Sequence, residues 1–181
     1  MNADQVRPWI LVFCGALLVA CGSTGQQAAQ TNLSPAVLTC TSSGQSSASW
    51  PSASTRSTAV VPITSAALSG DTFTLTFDSG TPAFELSPQS DAQFTADSGL
   101  GQPIDVGGTA GVRIVLGGFR GDMTNYAGPT SFASSGQLIV QVRSLGGSEG
   151  QESWAVGLSR PGCARVTAAG STLTFRFVPS K

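Results

Sequence analysis

Histidine is absent from this chain, so the side chains able to do chemistry are its carboxylates, arginines, cysteines and hydroxyls. No Ser-His-Asp triad, Cys-His dyad or histidine-built zinc site can form. A serine nucleophile would need a lysine base, and the one lysine is the last residue, Lys181. A glycosidase-like pair needs two carboxylates facing across one cleft, one of them with a raised pKa. Asp71, Asp78, Asp97, Asp105 and Asp122 instead fall in or beside turn signals, where aspartate caps the backbone. Calcium needs only oxygen ligands, but the chain has no Asp-x-Asp-x-Asp loop. These residue types predict no enzyme, no cofactor and no metal. The net charge of -1 removes the basic footprint of a nucleic-acid binder. Recognition is what remains. Arg113, Arg143 and Arg176 each take the outward position of an alternating run. On neighbouring strands they would line one sheet face, able to meet anionic glycans or peptide carboxylates through bidentate guanidinium bonds. The plainer alternative is a solvated face with cross-strand pairs to Asp78 or Glu85.

The elements that must position these side chains are strands. Phe73, Leu75 and Phe77 alternate with threonines. The same period of two runs through Phe84–Leu86, Val112–Ile114–Leu116, Leu138–Val140–Val142, Trp154–Val156–Leu158 and Leu173–Phe175–Phe177. Turn chemistry separates the runs: Ser69-Gly70-Asp71, Asp78-Ser79-Gly80, Gly107-Gly108, Gly146-Gly147 and Ala169-Gly170-Ser171. No window shows helical periodicity. The expectation is an all-β domain over 59–181, a single β-sandwich or partly open barrel of about eight to ten short strands. Trp154 shares its strand side with Val156 and Leu158, which predicts a core tryptophan rather than a sugar platform.

The cysteines read differently. Trp9 to Ala20 is an unbroken run of apolar or small residues, about 18 Å long as a helix and short of the ~30 Å hydrocarbon core. Residues 1–20 therefore suit a cleaved signal peptide. Leu18-Val19-Ala20-Cys21 resembles the bacterial lipobox. That resemblance implies cleavage before Cys21 and a diacylglycerol on its sulfur, with two acyl chains to hold the protein at the extracytoplasmic face of the cell membrane. Cys14 would leave with the signal, so Cys40 and Cys163 remain as a pair in an oxidising space and are expected to form a disulfide. Residues 22–58 hold 16 serines and threonines and one charge, Arg56. Such a stretch buries too little apolar area to offset its ordering entropy, so 21–58 is read as a lipidated cysteine and a flexible tether, with the part around Cys40 pinned back by the disulfide.

Several segments of the β domain resemble the AMIN-like domain of exported bacterial lipoproteins. Asp71 to Gly80 is similar to its opening strand and turn. Gly99-Leu-Gly-Gln-Pro-Ile-Asp-Val-Gly-Gly108 is similar to a G-x-P-I-x-V-x-G segment, and Gly111 to Leu116 to the strand that follows it. Trp154-Ala-Val-Gly-Leu158 is similar to a W-x-V-G-L strand, with Arg165-Val166 ahead of the last one. The resemblance covers about 60–181. It implies a non-catalytic β-sandwich that attaches to an envelope component such as peptidoglycan. Where similar proteins carry an arginine-rich stretch after the tryptophan strand, this chain has Ser159-Arg160-Pro161-Gly162-Cys163.

One further stretch invites a role. Residues 117–136 form the longest irregular run, and long loops in small domains are often functional. Arg120 and Tyr126 within it are favoured recognition residues. They suggest a protein-protein module of an envelope complex as an alternative reading; a small-ligand carrier in an open barrel is a third. The plainer expectation is that Phe119 and Phe132 fold this loop onto the core.

Overall fold

Threonine-rich alternation builds one sheet, and glycine-punctuated alternation builds the other. The computed structural model describes residues 36–37, 40–41, 44–45, 48–50, 61–97, 101–117, 126–148 and 150–180, with side chains from 61 onward except at 148. Its strands are β1 (Ala36–Val37), β2 (Cys40–Thr41), β3 (Gly44–Gln45), β4 (Ala48–Trp50), β5 (Ile63–Ser69), β6 (Thr72–Phe77), β7 (Ala83–Gln89) and β8 (Gln93–Thr95). They continue as β9 (Pro103–Asp105), β10 (Ala110–Gly117), β11 (Ser131–Ala133), β12 (Ile139–Ser148), β13 (Gln151–Leu158), β14 (Gly162–Ala169) and β15 (Thr172–Pro179). The five-stranded sheet has the order β1-β14-β15-β6-β5, and the six-stranded sheet the order β11-β12-β13-β10-β7-β4. All pairings in the two sheets are antiparallel, and no barrel closes, so the architecture is a β-sandwich.

After β1 and β4, the chain forms the β5–β6 hairpin of the five-stranded sheet, crosses to the six-stranded sheet for β7 and β10–β13, and returns by β14 and β15, the latter beside β6. The core between the sheets is the predicted inward set. Phe73, Leu75, Leu173 and Phe175 of one sheet meet Ile114, Leu116, Trp154 and Val156 of the other, all fully buried. The Phe73 and Trp154 rings touch across the layers with centroids 5.2 Å apart, and Phe84 meets Phe175 edge-on at 5.7 Å, geometries favoured by the ring quadrupole.

Three details depart from the alternation pattern. A bulge between Ile139 and Gln141 shifts the register against β13, so Leu138, Ile139 and Val142 are buried while Val140 faces out. β11 interrupts the stretch expected to be irregular, and Phe132 on it leans against Phe73 and Trp154. The segment read as a tether supplies an edge strand to each sheet, β1 beside β14 and β4 beside β7.

The sandwich also has a cover. β8 and β9 form a separate hairpin that lies on the outer side of the six-stranded sheet. Phe94, Ile104 and Val106 of this hairpin region pack with Ala92, Leu145 and Ala155 into a second, smaller core. The sheet makes room by being bare there: Gly111 and Gly157 are direct partners in the β10–β13 ladder. The Phe94 ring lies over Gly111, and Val106 lies over Gly157. Ile104 and Val106 of the Pro103-Ile104-x-Val106 stretch thus serve packing, while Pro103 is exposed. Gly108, at φ 102°, has a backbone that side-chain-bearing residues rarely adopt.

Asp71 ties the two sheets together at one end. It sits in the β5–β6 turn, and its carboxylate accepts the backbone N–H groups of Leu138 (2.8 Å), Ile139 (2.9 Å) and Gln137 (3.2 Å) at the start of β12. A Cβ at Gly136 would stand 2.7 Å from the Gly70 carbonyl carbon and closer still to the carboxylate, so only glycine allows this approach. Burial pushes the Asp71 carboxyl up, but the three N–H bonds together, with help from Arg160, hold it below its ordinary 3.8. A carboxyl depressed on folding contributes stability above its unfolded pKa and loses it as pH falls through the folded pKa. Asp71→Asn should therefore lower unfolding free energy by about 1–2 kcal/mol near neutrality, a range set by the partial exposure of the group. The difference from wild type should shrink as pH drops below 3.8. Urea unfolding at about pH 7 and about pH 3 measures this; a pH-independent difference would show that the charge on Asp71 contributes nothing.

Candidate functional site

The three arginines singled out by alternation do not share a face. Arg113 on β10 and Arg143 on β12 both pair with Ala155 of β13, and so flank it on the outer side of the six-stranded sheet. Arg176 on β15 belongs to the other sheet, with Thr72 on one side and Arg165 of β14 on the other. The expected single basic face is thus divided between opposite sides of the sandwich. The physical reason is topological: β15 returns to β6, not to β12 or β10.

Arg113 is not free to bind. One terminal nitrogen of its guanidinium forms an ion pair with Asp97, just past β8, and its Nε is buried without a hydrogen-bond partner. Asp97 also donates its backbone N–H to the Leu145 carbonyl at 2.9 Å. The Asp97–Arg113 pair therefore fastens the end of the covering hairpin to the sheet. Close by is a carboxylate that the sequence did not single out. Glu152 at the start of β13 is 7% exposed and accepts a bond from the Ser144 hydroxyl at 2.9 Å. Burial raises its carboxyl above the ordinary range; the Ser144 bond works against that rise, and the charge of Asp97 adds to it. Its parity with Trp154, unusual for a glutamate, was the one signal available in the chain.

Of the aspartates expected to cap turns, Asp105 closes its own turn, whereas Asp97 pairs with Arg113 and Asp71 reaches across to β12. Asp105 accepts the Gly107 N–H at 2.7 Å and Asp91 accepts the Gln93 N–H at 3.0 Å, both closing turns around the covering hairpin. Among the described residues no group of three or more Cys, Asp or Glu could hold a metal ion.

Of the loop residues, Tyr126 is half-buried. Its ring meets Trp154 edge-on at 6.1 Å, and its hydroxyl donates to the Pro129 carbonyl at 3.1 Å. Burial pushes its phenol up, against a counteracting backbone bond at Ala66. Tyr126 and Phe132 thus close one side of the core. Trp154 is fully buried, as expected of a core tryptophan, and its Nε1–H has no acceptor among the described residues. Arg120, Asp122, the signal segment 1–20 and Cys21 lie outside the described residues, as does the side chain of Cys40.

The surface that alternation did not assemble is the outer side of the five-stranded sheet. Register puts Thr72, Arg176 and Arg165 in one cross-strand row, and Thr74, Thr174 and Thr167 in the next. Arg165 was overlooked as a site residue because β14 lacks a clean alternating run, its Gly162 to Ala164 being buried on both sides. Compared with protein-family models, curated proteins and solved structures, the chain matches none.

Proposed function

We propose that this protein is a non-catalytic, lipid-anchored binding module at the extracytoplasmic face of a bacterial cell membrane, attaching to an envelope component, with peptidoglycan as the first candidate. The observation that carries the reading is Leu18-Val19-Ala20-Cys21 at the end of a short apolar run, ahead of a serine- and threonine-rich segment and an all-β domain. The AMIN-like order of segments supports the binding role. The packing of Tyr126 and Phe132 against the core weakens the alternative in which the 117–136 loop holds a protein partner.

The same reading pairs Cys40 with Cys163. Val37 of β1 stands opposite Arg165 of β14, and the antiparallel direction carries the chain from there toward Cys163. Cys163 is 1% exposed although it shares a strand side with exposed Arg165 and Thr167. The pairing closes a loop of over 100 residues, and the restriction that a cross-link places on the unfolded chain grows with loop length.

One preparation tests both statements. Protein extracted from the membrane of a bacterial host should begin at Cys21 with a diacylglyceryl group, and its non-reducing digest should hold Cys40 and Cys163 in one linked peptide pair. Cys21→Ser should release the chain from the membrane, and the protein should co-sediment with purified peptidoglycan. An unmodified Cys21, or sedimentation no greater than that of an unrelated acidic protein, would overturn the corresponding half of the proposal.

A further inference from the structure

The outer side of the five-stranded sheet carries an arrangement that costs energy as it stands. Arg165 and Arg176 are direct cross-strand partners, and both side chains are exposed. Like charges directly opposite on a sheet repel, since facing Cβ atoms are only about 5 Å apart. The usual remedy is an interleaved carboxylate. Here the outward residues of β5, β6, β14 and β15 are Ser65, Ala67, Ser69, Thr72, Thr74, Thr76, Cys163, Arg165, Thr167, Ala169, Thr172, Thr174, Arg176 and Val178, with no acid among them. Neither guanidinium makes an ion pair or hydrogen bond among the described residues, whereas that of Arg113 on the other sheet has Asp97.

We propose that Arg165 and Arg176 form an oxyanion-binding site for an acidic polysaccharide strand. Two guanidinium groups side by side can each present a planar pair of N–H donors, so one carboxylate or phosphate between them is bonded from both sides and removes their repulsion. The neighbouring hydroxyls of Thr72, Thr74, Thr174 and Thr167 are both donors and acceptors, suited to sugar hydroxyls on either side of the charged group. The surface is the exposed face of a sheet, which suits an extended chain. It carries no aromatic ring for stacking, so the charge must supply the affinity.

The site stands apart from the anchoring proposal, because its test needs neither a membrane nor peptidoglycan. Full-length protein in neutral detergent would be run by affinity electrophoresis through gels containing polygalacturonate, phosphomannan or uncharged dextran. Wild type should be retarded by one or both acidic polymers and not by dextran, and the responding polymer identifies the oxyanion as carboxylate or phosphate. The retardation should weaken with added salt. The double variant R165Q/R176Q should bind about tenfold or more weakly, while R143Q, which removes an exposed arginine from the opposite sheet, should stay within about twofold. Both sites are exposed and their charges repel, so an unfolding midpoint no lower than that of wild type should verify that the double variant is folded. Retardation of the double variant equal to that of wild type, an equal loss in R143Q, or no retardation by either polymer would overturn the site.

Discussion

Trp154→Ala is expected to cost about 3–5 kcal/mol, the usual range for emptying a large aromatic site in a core. Trp154→Phe is expected to cost less than half as much. The tryptophan is fully buried on β13 and is ringed by Phe73, Phe132 and Tyr126, with Phe73 closest at 5.2 Å. Those neighbours come from β6, from β11 and from the segment before β11, so a cavity there loosens both sheets and the chain that spans them. The phenylalanine variant differs because of the indole nitrogen. Its N–H has no acceptor among the described residues, and a buried donor without a partner costs about 1–3 kcal/mol. Phenylalanine removes that donor while keeping an aromatic ring against Phe73, so relief of the unmet bond offsets part of the lost volume. Total stabilities of small domains are about 5–15 kcal/mol, and the alanine variant should therefore be near the edge of folding. Urea unfolding of both variants decides the matter; equal losses would mean that the unsatisfied nitrogen carries no cost.

The second large effect is expected at Gly157. A Cβ there would stand 2.5 Å from the Val106 carbonyl oxygen and closer still to that of Gly107. Both obstacles are backbone atoms and cannot rotate away. Gly157→Ala should lift the β8–β9 hairpin from the sheet, at a cost of about 2–3 kcal/mol, toward the upper end for overpacking. Because the hairpin contributes its own small core, with Phe94 and Val106 against Ala155, the damage should be local. Amide hydrogen exchange should accelerate over β8 and β9 while β6 and β15, in the other sheet, stay protected. Uniform acceleration across both sheets would show that the cover is not a separate unit of stability.

Much of this fold is legible in the residues. Period-two runs identify β6, β7, β10, β13 and β15 with the correct inward sets, because each has one side in the main core. The covering hairpin was the main omission. The outward positions of β13 are Ser153, Ala155 and Gly157, small where a solvated strand would be polar, and that is the mark of a second layer. Neither the bulge at Val140 nor the separation of Arg176 from Arg113 and Arg143 could be read locally. A bulge depends on how two strands slide together, and a shared face depends on which strands become neighbours.

The short edge strands have a mechanical consequence. The N-terminal stretch is stitched to the β-sandwich twice, by the two residues of β1 along β14 and the three residues of β4 along β7. A tug on the chain from its N-terminal side meets β1 first and β4 next, and each stitch can let go through a handful of hydrogen bonds. The slack so released is paid out before the load reaches β5, whose seven residues are zipped to β6. The sandwich is thereby sprung on its N-terminal side, yielding in small steps at the rim while its interior stays closed.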